Sequence, residues 1–394
     1  MKKTKSRTKP TTWRYEPFGG ILQLDKPQAL VYVDRDYMRS LGYGPSPLWD
    51  EDSDLLSAPT EVHLQPTNRC GAGCRACYTD ADGPAIKPED ELPVEDHMRI
   101  IDRLAAMKVF HVALGGGESL GMDRFFELAE HARARGLLPS LTTNGFGMTD
   151  EIARRCRIFE AAHVSIDGVD GVYEAVRGYD RFAEADEAVK LLARAGCKIG
   201  LNTVLCRQSI DHMEELVAYA ASRKVRQIEF LRFKPAGRAV ALYDEMKPTT
   251  AQLDSLFPRL VDAMKKYKVR LLVDCSLAPM VYMHLPDPKK MDLLGVTGCL
   301  GGNMLMSVTP DGRPAPCSFA APHEADIFDV ENWWRNDDVF ALFRTWTDRA
   351  PEPCRSCDYL HLCKGGCHVV AEHVTGNPLE PDPDCLFVRE HKKK

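Results

Sequence analysis

From residue 61 onward, six short apolar runs each lead into an amphipathic stretch, and that alternation leaves few folds open. The runs cover 61–65, 110–114, 138–142, 162–166, 198–204 and 227–232. Between them lies 94–107, where Met98, Ile101, Leu104 and Ala105 recur at helical spacing. The stretches 123–135, 150–156, 183–195 and 210–222 follow in the same manner. Strand then helix, six times over, predicts an α/β fold with a parallel sheet and helices outside it. Right-handed crossovers curl such a sheet into a partial (β/α)6 barrel of TIM-like form. Ligands then collect at the C-terminal ends of the strands. A helix over 253–266 and a strand over 269–274 close this region, which we bound at 59–275. Residues 1–58 read as a small appended element: a hairpin from 19–24 and 29–33, a short helix from Arg35, and a Pro-, Asp- and Ser-rich linker over 46–58. In 276–394 the alternation stops, and Gly, Pro and Cys dominate, as when metal clusters replace a hydrophobic core.

Cys70, Cys74 and Cys77 stand just after the first strand in a C-x3-C-x2-C triplet, with Gly71 and Gly73 allowing an unusual backbone path. Three thiolates this close can grip three irons of a cubane [4Fe–4S] cluster and leave the fourth iron free for a small molecule. A zinc site is the weaker reading, because zinc takes paired C-x2-C units with a fourth ligand. Fourteen cysteines in 394 residues do not suggest a disulfide scaffold, since those are short secreted domains. The basic start over 1–7 lacks the apolar run of an export signal, and no apolar span reaches transmembrane length. We therefore expect a cytoplasmic protein whose thiols are ligands, with no membrane partner. A net charge of −6 gives no field favouring nucleic acid. Seven further cysteines, Cys299, Cys317, Cys354, Cys357, Cys363, Cys367 and Cys385, form a C-terminal constellation. The remaining four, Cys156, Cys197, Cys206 and Cys275, lie among apolar residues and are expected to be small core residues.

Further motifs follow the predicted strands in turn: Gly115-Gly116-Gly117-Glu118, Thr143-Asn144-Gly145, Ser165-Ile166-Asp167-Gly168 and Val176-Arg177-Gly178. With the triplet, this set resembles the radical S-adenosylmethionine superfamily. The resemblance implies that Gly115, Gly116 and Gly117 offer carbonyls to the methionine ammonium of the cofactor, with Glu118 as a charge partner. It places Asn144 in the same binding set, and implies that Ser165 and Arg177 hold the methionine carboxylate, a task suited to a guanidinium fork. Leu231 packs against adenine or is an ordinary core leucine. One departure is Ala76, where the family usually has an aromatic residue before the third cysteine; Tyr78 follows it instead.

The spacing Cys299…Gly312-x4-Cys317…Cys354-x2-Cys357-x5-Cys363-x3-Cys367…Cys385 resembles the SPASM extension, an auxiliary-cluster domain. By that resemblance, Cys354, Cys357, Cys363 and Cys385 bind one [4Fe–4S] cluster, while Cys299, Cys317 and Cys367 bind another. The second set is one ligand short. Relatives often supply a cysteine near the position of Met306. Here an open or externally ligated iron is favoured, with Cys275 as the other candidate.

Taken together the motifs are most similar to those of mycofactocin-type peptide maturases. The implied activity is cleavage of S-adenosylmethionine to a 5′-deoxyadenosyl radical that oxidatively modifies a ribosomally made peptide or a protein side chain. The implied partners are that peptide, a leader-binding partner and a flavodoxin- or ferredoxin-type electron donor. The N-terminal hairpin and helix resemble part of a precursor-recognition element, whose edge strand can add a peptide strand; a plain cap on the barrel bottom is the other reading. Three rival functions stay open. A haem side-chain-modifying enzyme combines the same triplet with C-terminal cysteines. A sulfatase-maturating enzyme usually has an aspartate where this chain has Ser318. A non-catalytic iron–sulfur electron carrier has no need of Glu118, Ser165 and Arg177.

Overall fold

The computed structural model describes residues 12–25, 28–84, 87–326, 328–336 and 338–393. An antiparallel sheet of β1 (Thr12–Glu16), β2 (Gly19–Asp25) and β3 (Gln28–Asp34) comes first, followed by α1 (Arg35–Ser40). The main strands are β4 (Glu61–Thr67), β5 (His111–Gly116), β6 (Leu138–Thr143), β7 (Ala162–Ser165), β8 (Ile199–Leu205), β9 (Gln227–Arg232) and β10 (Arg270–Val273). To these the C-terminal region adds β11 (Leu305–Val308) and β12 (Pro314–Ala315). Among the described residues the nine lie in one sheet, ordered β10-β9-β8-β7-β6-β5-β4-β11-β12. All pairs are parallel except β11 with β12. β10 and β12 are its two edges, so the barrel is open.

Between the strands run α2 (Val94–Ala106), α3 (Phe125–Ala134), α4 (Asp150–Arg155), α5 (Gly171–Arg177), α6 (Phe182–Ala195), α7 (Met213–Ser222), α8 (Ala239–Met246) and α9 (Thr250–Tyr267). The apolar faces of α2, α3, α6, α7 and α9 lie against the outside of the sheet, whereas α8 packs with Phe233, Cys367 and Val370. The period of two along each strand sorts the side chains. Val62, Leu64, Val112, Leu114, Leu141, Val164, Leu201, Ile228 and Phe230 face the helices and are fully buried. Their neighbours His63, Thr142, His163, Asn202 and Glu229 line the interior. That inner face is polar, as expected of a cavity rather than a packed barrel core.

Several expectations need correction. The hairpin at the N-terminus is a three-stranded sheet, because β1 pairs with β2. The stretch 46–58 is no loose linker: Trp49, Leu56 and Ala58 are buried, and the Leu56 carbonyl accepts the Trp334 indole N–H at 2.7 Å. Nor do the C-terminal residues lack a hydrophobic core. Met306, Val308, Val330, Trp333, Trp334 and Phe340 belong to the main barrel core. Met306 pairs with Val62 inside the sheet, so that position faces core packing and not the cysteines.

The N-terminal sheet docks at the end of the barrel opposite the cysteine triplet. Arg14 is buried and donates to the carbonyls of Ala58 (2.7 Å), Pro59 (2.9 Å) and Lys108 (3.1 Å), which precede β4 and β5. Its Nε lies 2.7 Å from Glu16 Oε1. A planar guanidinium with a fixed fork of donors suits this four-way anchor.

Candidate functional site

The triplet loop leaves the C-terminal end of β4 and turns on two left-handed glycines, Gly71 (φ 68°) and Gly73 (φ 69°). No side chain need be excluded there; the backbone conformation itself requires glycine. Asp82 holds the start of the loop by accepting the amides of Cys70 (3.0 Å) and Gly71 (2.6 Å). Arg238 holds its end: its Nε donates to the Cys74 carbonyl and its amide to the Cys77 carbonyl. Burial pushes the Cys70 thiol up to about 11, with the Glu118 carboxylate adding to the shift. Such a thiol keeps its proton near neutral pH until a metal displaces it.

The glycine run does two jobs. A Cβ on Gly117 would lie 2.2 Å from the Arg69 carbonyl, and one on Gly116 would lie 2.7 Å from that of Thr67. These two glycines let β5 close onto the triplet loop, where the Gly117 and Glu118 amides donate to Thr67 and Arg69. Gly115 has nothing within 4 Å of its would-be Cβ, and it alone of the three leaves room for a ligand. The Glu118 carboxylate accepts from Thr143 Oγ1 and the Asn144 amide, each at 2.7 Å. Burial raises its pKa against those hydrogen bonds. Asn144 Nδ2 in turn points at Cys70 Sγ, 3.7 Å away.

Arg177 is the last residue of α5, which Gly178 ends in the left-handed conformation (φ 87°). This stop aims the guanidinium inward. Its Nε lies 2.6 Å from Asp167 Oδ2, and a terminal nitrogen lies 3.5 Å from Cys74 Sγ. Asp167 is fixed by the Val204 amide at 2.8 Å. Tyr179 Oη sits 2.9 Å from the same Cys74 sulfur. The triplet and the proposed carboxylate clamp thus meet at one thiol.

All eleven positions picked out in the barrel line one cavity of about 300 Å³: Cys70, Cys74, Cys77, Gly115, Gly116, Gly117, Glu118, Asn144, Ser165, Arg177 and Leu231. It is a size ordinary for small-ligand sites. Asn202 also lines it; its amide nitrogen contacts Thr142, and its buried Oδ1 has no partner among the described residues. An orphaned acceptor beside a guanidinium, free glycine backbone and three thiols fits a polar ligand carrying both ammonium and carboxylate groups. Motif reading missed Asn202, although its inward register on β8 was available. It also missed Asp167 as the partner of Arg177.

Ala76 packs among Val176, Cys206 and Phe233, leaving that corner small. Tyr78 instead meets Phe319 at 4.9 Å, and both line the cavity with Ser318. The segment after Cys317 therefore forms the wall facing the triplet. Ser318 Oγ lies 2.8 Å from His63 Nδ1, whose Nε2 lies 3.2 Å from Glu61. On the same wall the Lys234 ammonium is 4.1 Å from the Phe319 ring and is paired with Asp274.

Of the C-terminal cysteines, Cys354, Cys357, Cys363 and Cys385 line one small apolar pocket with Tyr282 and Tyr359, whose rings stack at 4.8 Å. Cys275, Cys317 and Cys367 all act electrostatically on Cys299. Among the described residues no three His, Cys, Asp or Glu side chains converge as a single metal ion requires. The thiols surround spaces instead, which suits a cluster of several atoms. Cys156 and Cys206 are buried as expected and Cys197 half-buried. Cys275 does not fit that group, for its surroundings are charged: Asp274, Lys234 and Cys367 all act on it.

A family model described as the radical SAM superfamily matches residues 64–220. The mycofactocin maturase MftC of Mycobacterium ulcerans (strain Agy99) is 30% identical over 343 residues, spanning 84% of this chain and 89% of that protein. The chain belongs to the radical SAM superfamily. Within it, the chain is also 26% identical to the PqqA peptide cyclase of Bradyrhizobium diazoefficiens over 353 residues, 86% of this chain and 89% of that one. Among solved structures, Streptococcus suis SuiB bound to S-adenosylmethionine shares the fold. The TM-score is 0.76 over 98% of this chain and 100% of that chain, at 19% identity. Among the described residues no helix is long and apolar enough to cross a membrane.

Proposed function

We propose that the protein is a radical S-adenosylmethionine peptide maturase that oxidatively modifies a ribosomally made peptide. The observation carrying this reading is a single cavity lined by the triplet, by the Arg177–Asp167 pair and by the Ser318–Phe319 wall. A [4Fe–4S] cluster on Cys70, Cys74 and Cys77, with S-adenosylmethionine, supplies reductive cleavage to methionine and a radical able to take hydrogen from a substrate C–H bond. Around it the protein binds and orients. Arg177 and Ser165 take the methionine carboxylate, the Gly115 backbone and Glu118 take the ammonium, and Leu231 borders the adenine. Asp167 keeps the guanidinium fork aimed, so its five donors need not be ordered on binding. Burial of Glu118 and Arg177 keeps water from competing with these contacts.

The auxiliary set fits the same reading. Cys354, Cys357, Cys363 and Cys385 hold one cluster, and Cys299, Cys317 and Cys367 contribute to another. Because Ser318 and Phe319 follow Cys317 directly, a substrate in the cavity touches the second auxiliary site and the triplet at once. The relatives named as a peptide cyclase and a mycofactocin maturase point to a peptide as that substrate. β3 pairs with no second strand among the described residues, so its outer edge is available for strand addition by a leader peptide. A flavodoxin- or ferredoxin-type protein would deliver the electron, in a cytoplasmic setting. The test is to incubate anoxic, iron-loaded enzyme with short peptides encoded beside its gene. A mass loss in one peptide, dependent on S-adenosylmethionine, is expected. Turnover of a porphyrin, with every peptide unchanged, would replace this reading with the haem-modifying one.

A further inference from the structure

Sequence spacing leaves the Cys299, Cys317 and Cys367 set one thiol short, and the fold favours Cys275 over the open or externally ligated iron expected from the sequence. Cys275 follows β10, the edge strand of the sheet, and lies 24 positions before Cys299 in the chain. Its position is tied to those of the other three. The Ser276 carbonyl accepts from Arg232 at 3.1 Å; Arg232 also binds Asp382, whose carboxylate accepts the Cys367 amide at 2.9 Å. Asp274 pairs with Lys234, and Lys234 lies against Phe319, two residues beyond Cys317. On the remaining side the Leu300 amide, next to Cys299, is directed at the Cys275 thiol.

The Lys234 ammonium, which faces Cys275 and Cys367, sets this thiol apart from Cys156, Cys197 and Cys206. Backbone amides reach Cys299 from Gly301, Cys317 from Phe319 and Ala320, and Cys367 from Val370. Amide donors to sulfur are a regular lever on iron–sulfur clusters. Cys275 receives one as they do; in the core Cys206 receives two, while Cys197 spends its S–H on the Ala153 carbonyl. The Lys234 ammonium faces both Cys275 and Cys367, and also acts on Cys317.

We propose that Cys275 is the fourth ligand of the second auxiliary cluster, completing a four-cysteine set with Cys299, Cys317 and Cys367. This rests on the auxiliary-cluster reading above and deepens it. Such a cluster offers no iron to a substrate sulfur or carboxylate. It is an electron-transfer centre, and substrate in the cavity contacts it only through the Ser318–Phe319 wall.

The test uses the full chain with Cys70, Cys74 and Cys77 replaced by alanine, so that only auxiliary clusters contribute. Iron, sulfide and electron paramagnetic resonance are read with and without cyanide as a probe for an open iron. The expected spectrum is unchanged by cyanide. Adding Cys275→Ala should produce cyanide sensitivity or a three-iron signal on oxidation, while Cys156→Ala should do neither. If the alanine variant fails to fold, Cys275→Ser decides, since an oxygen ligand shifts the spectrum. A parent chain already sensitive to cyanide, or a Cys275 variant spectrally identical to it, overturns the proposal. Absence of any cluster in the parent chain instead removes the auxiliary reading itself.

Discussion

The triplet and the C-terminal cysteines place thiols around a cluster-sized space by opposite means. Cys70, Cys74 and Cys77 sit on one eight-residue loop, shaped by two left-handed glycines and held at its ends by Asp82 and Arg238. The C-terminal thiols come from scattered points between Cys299 and Cys385, and what gathers them is tertiary. The buried Arg232 binds Asp382 (2.5 Å) and Asp384 (2.6 Å), linking β9 to the turn before Cys385. A local loop can be rebuilt or lost on its own. A distributed site stands or falls with the fold around it.

The largest effects should separate the two regions by chemistry. Cys74→Ala should abolish 5′-deoxyadenosine formation, whereas Cys363→Ala should keep a fraction of it while losing peptide product. Equal loss of deoxyadenosine in two well-folded samples would erase the distinction. Next comes stability. Arg232→Ala strands the Asp382 carboxylate in the interior, and breaking a buried pair in this way costs about 3–5 kcal/mol. Chemical denaturation should show that loss, together with reduced auxiliary iron. Asp82→Ala removes two hydrogen bonds to an exposed carboxylate, a small loss that falls on the loop alone. Iron should fall at the triplet while auxiliary signals and the unfolding midpoint change little; a global loss of stability would contradict the local picture.

Smaller changes sharpen the triplet side. Gly117→Ala must displace the Arg69 carbonyl, since the new Cβ would lie 2.2 Å from it. Slower S-adenosylmethionine cleavage with an intact auxiliary spectrum is expected. Arg177→Lys keeps the charge but loses the fork. Equilibrium binding of S-adenosylmethionine should weaken about tenfold, a matter of about 1.4 kcal/mol. Unaltered affinity would take Arg177 out of the carboxylate clamp.

The same contrast explains what could be read from the chain. β4 to β9 fall within about two residues of their sequence-based bounds, because each alternates a helix-facing apolar residue with a cavity-facing polar one. The triplet, the glycine run and Arg177 were legible since each is short and follows its strand. β11 was not, for Leu305–Val308 is four residues long and finds its partner β4 across some 240 positions of chain. Trp334 was hidden likewise: nothing near it announces that its indole caps the Leu56 carbonyl. Cys275 read both as a core thiol and as a candidate fourth ligand, and the approach of Lys234 and Cys367 beside Asp274 shows a charged setting rather than an apolar one.

Everything proposed for the barrel depends on the triplet loop being a site for reductive cleavage of S-adenosylmethionine. The most direct test is to reduce the anoxic, fully iron-loaded wild-type protein with dithionite, add S-adenosylmethionine, and quantify both products by chromatography. The account predicts 5′-deoxyadenosine and methionine in equal amounts. Full iron loading with neither product formed would contradict it.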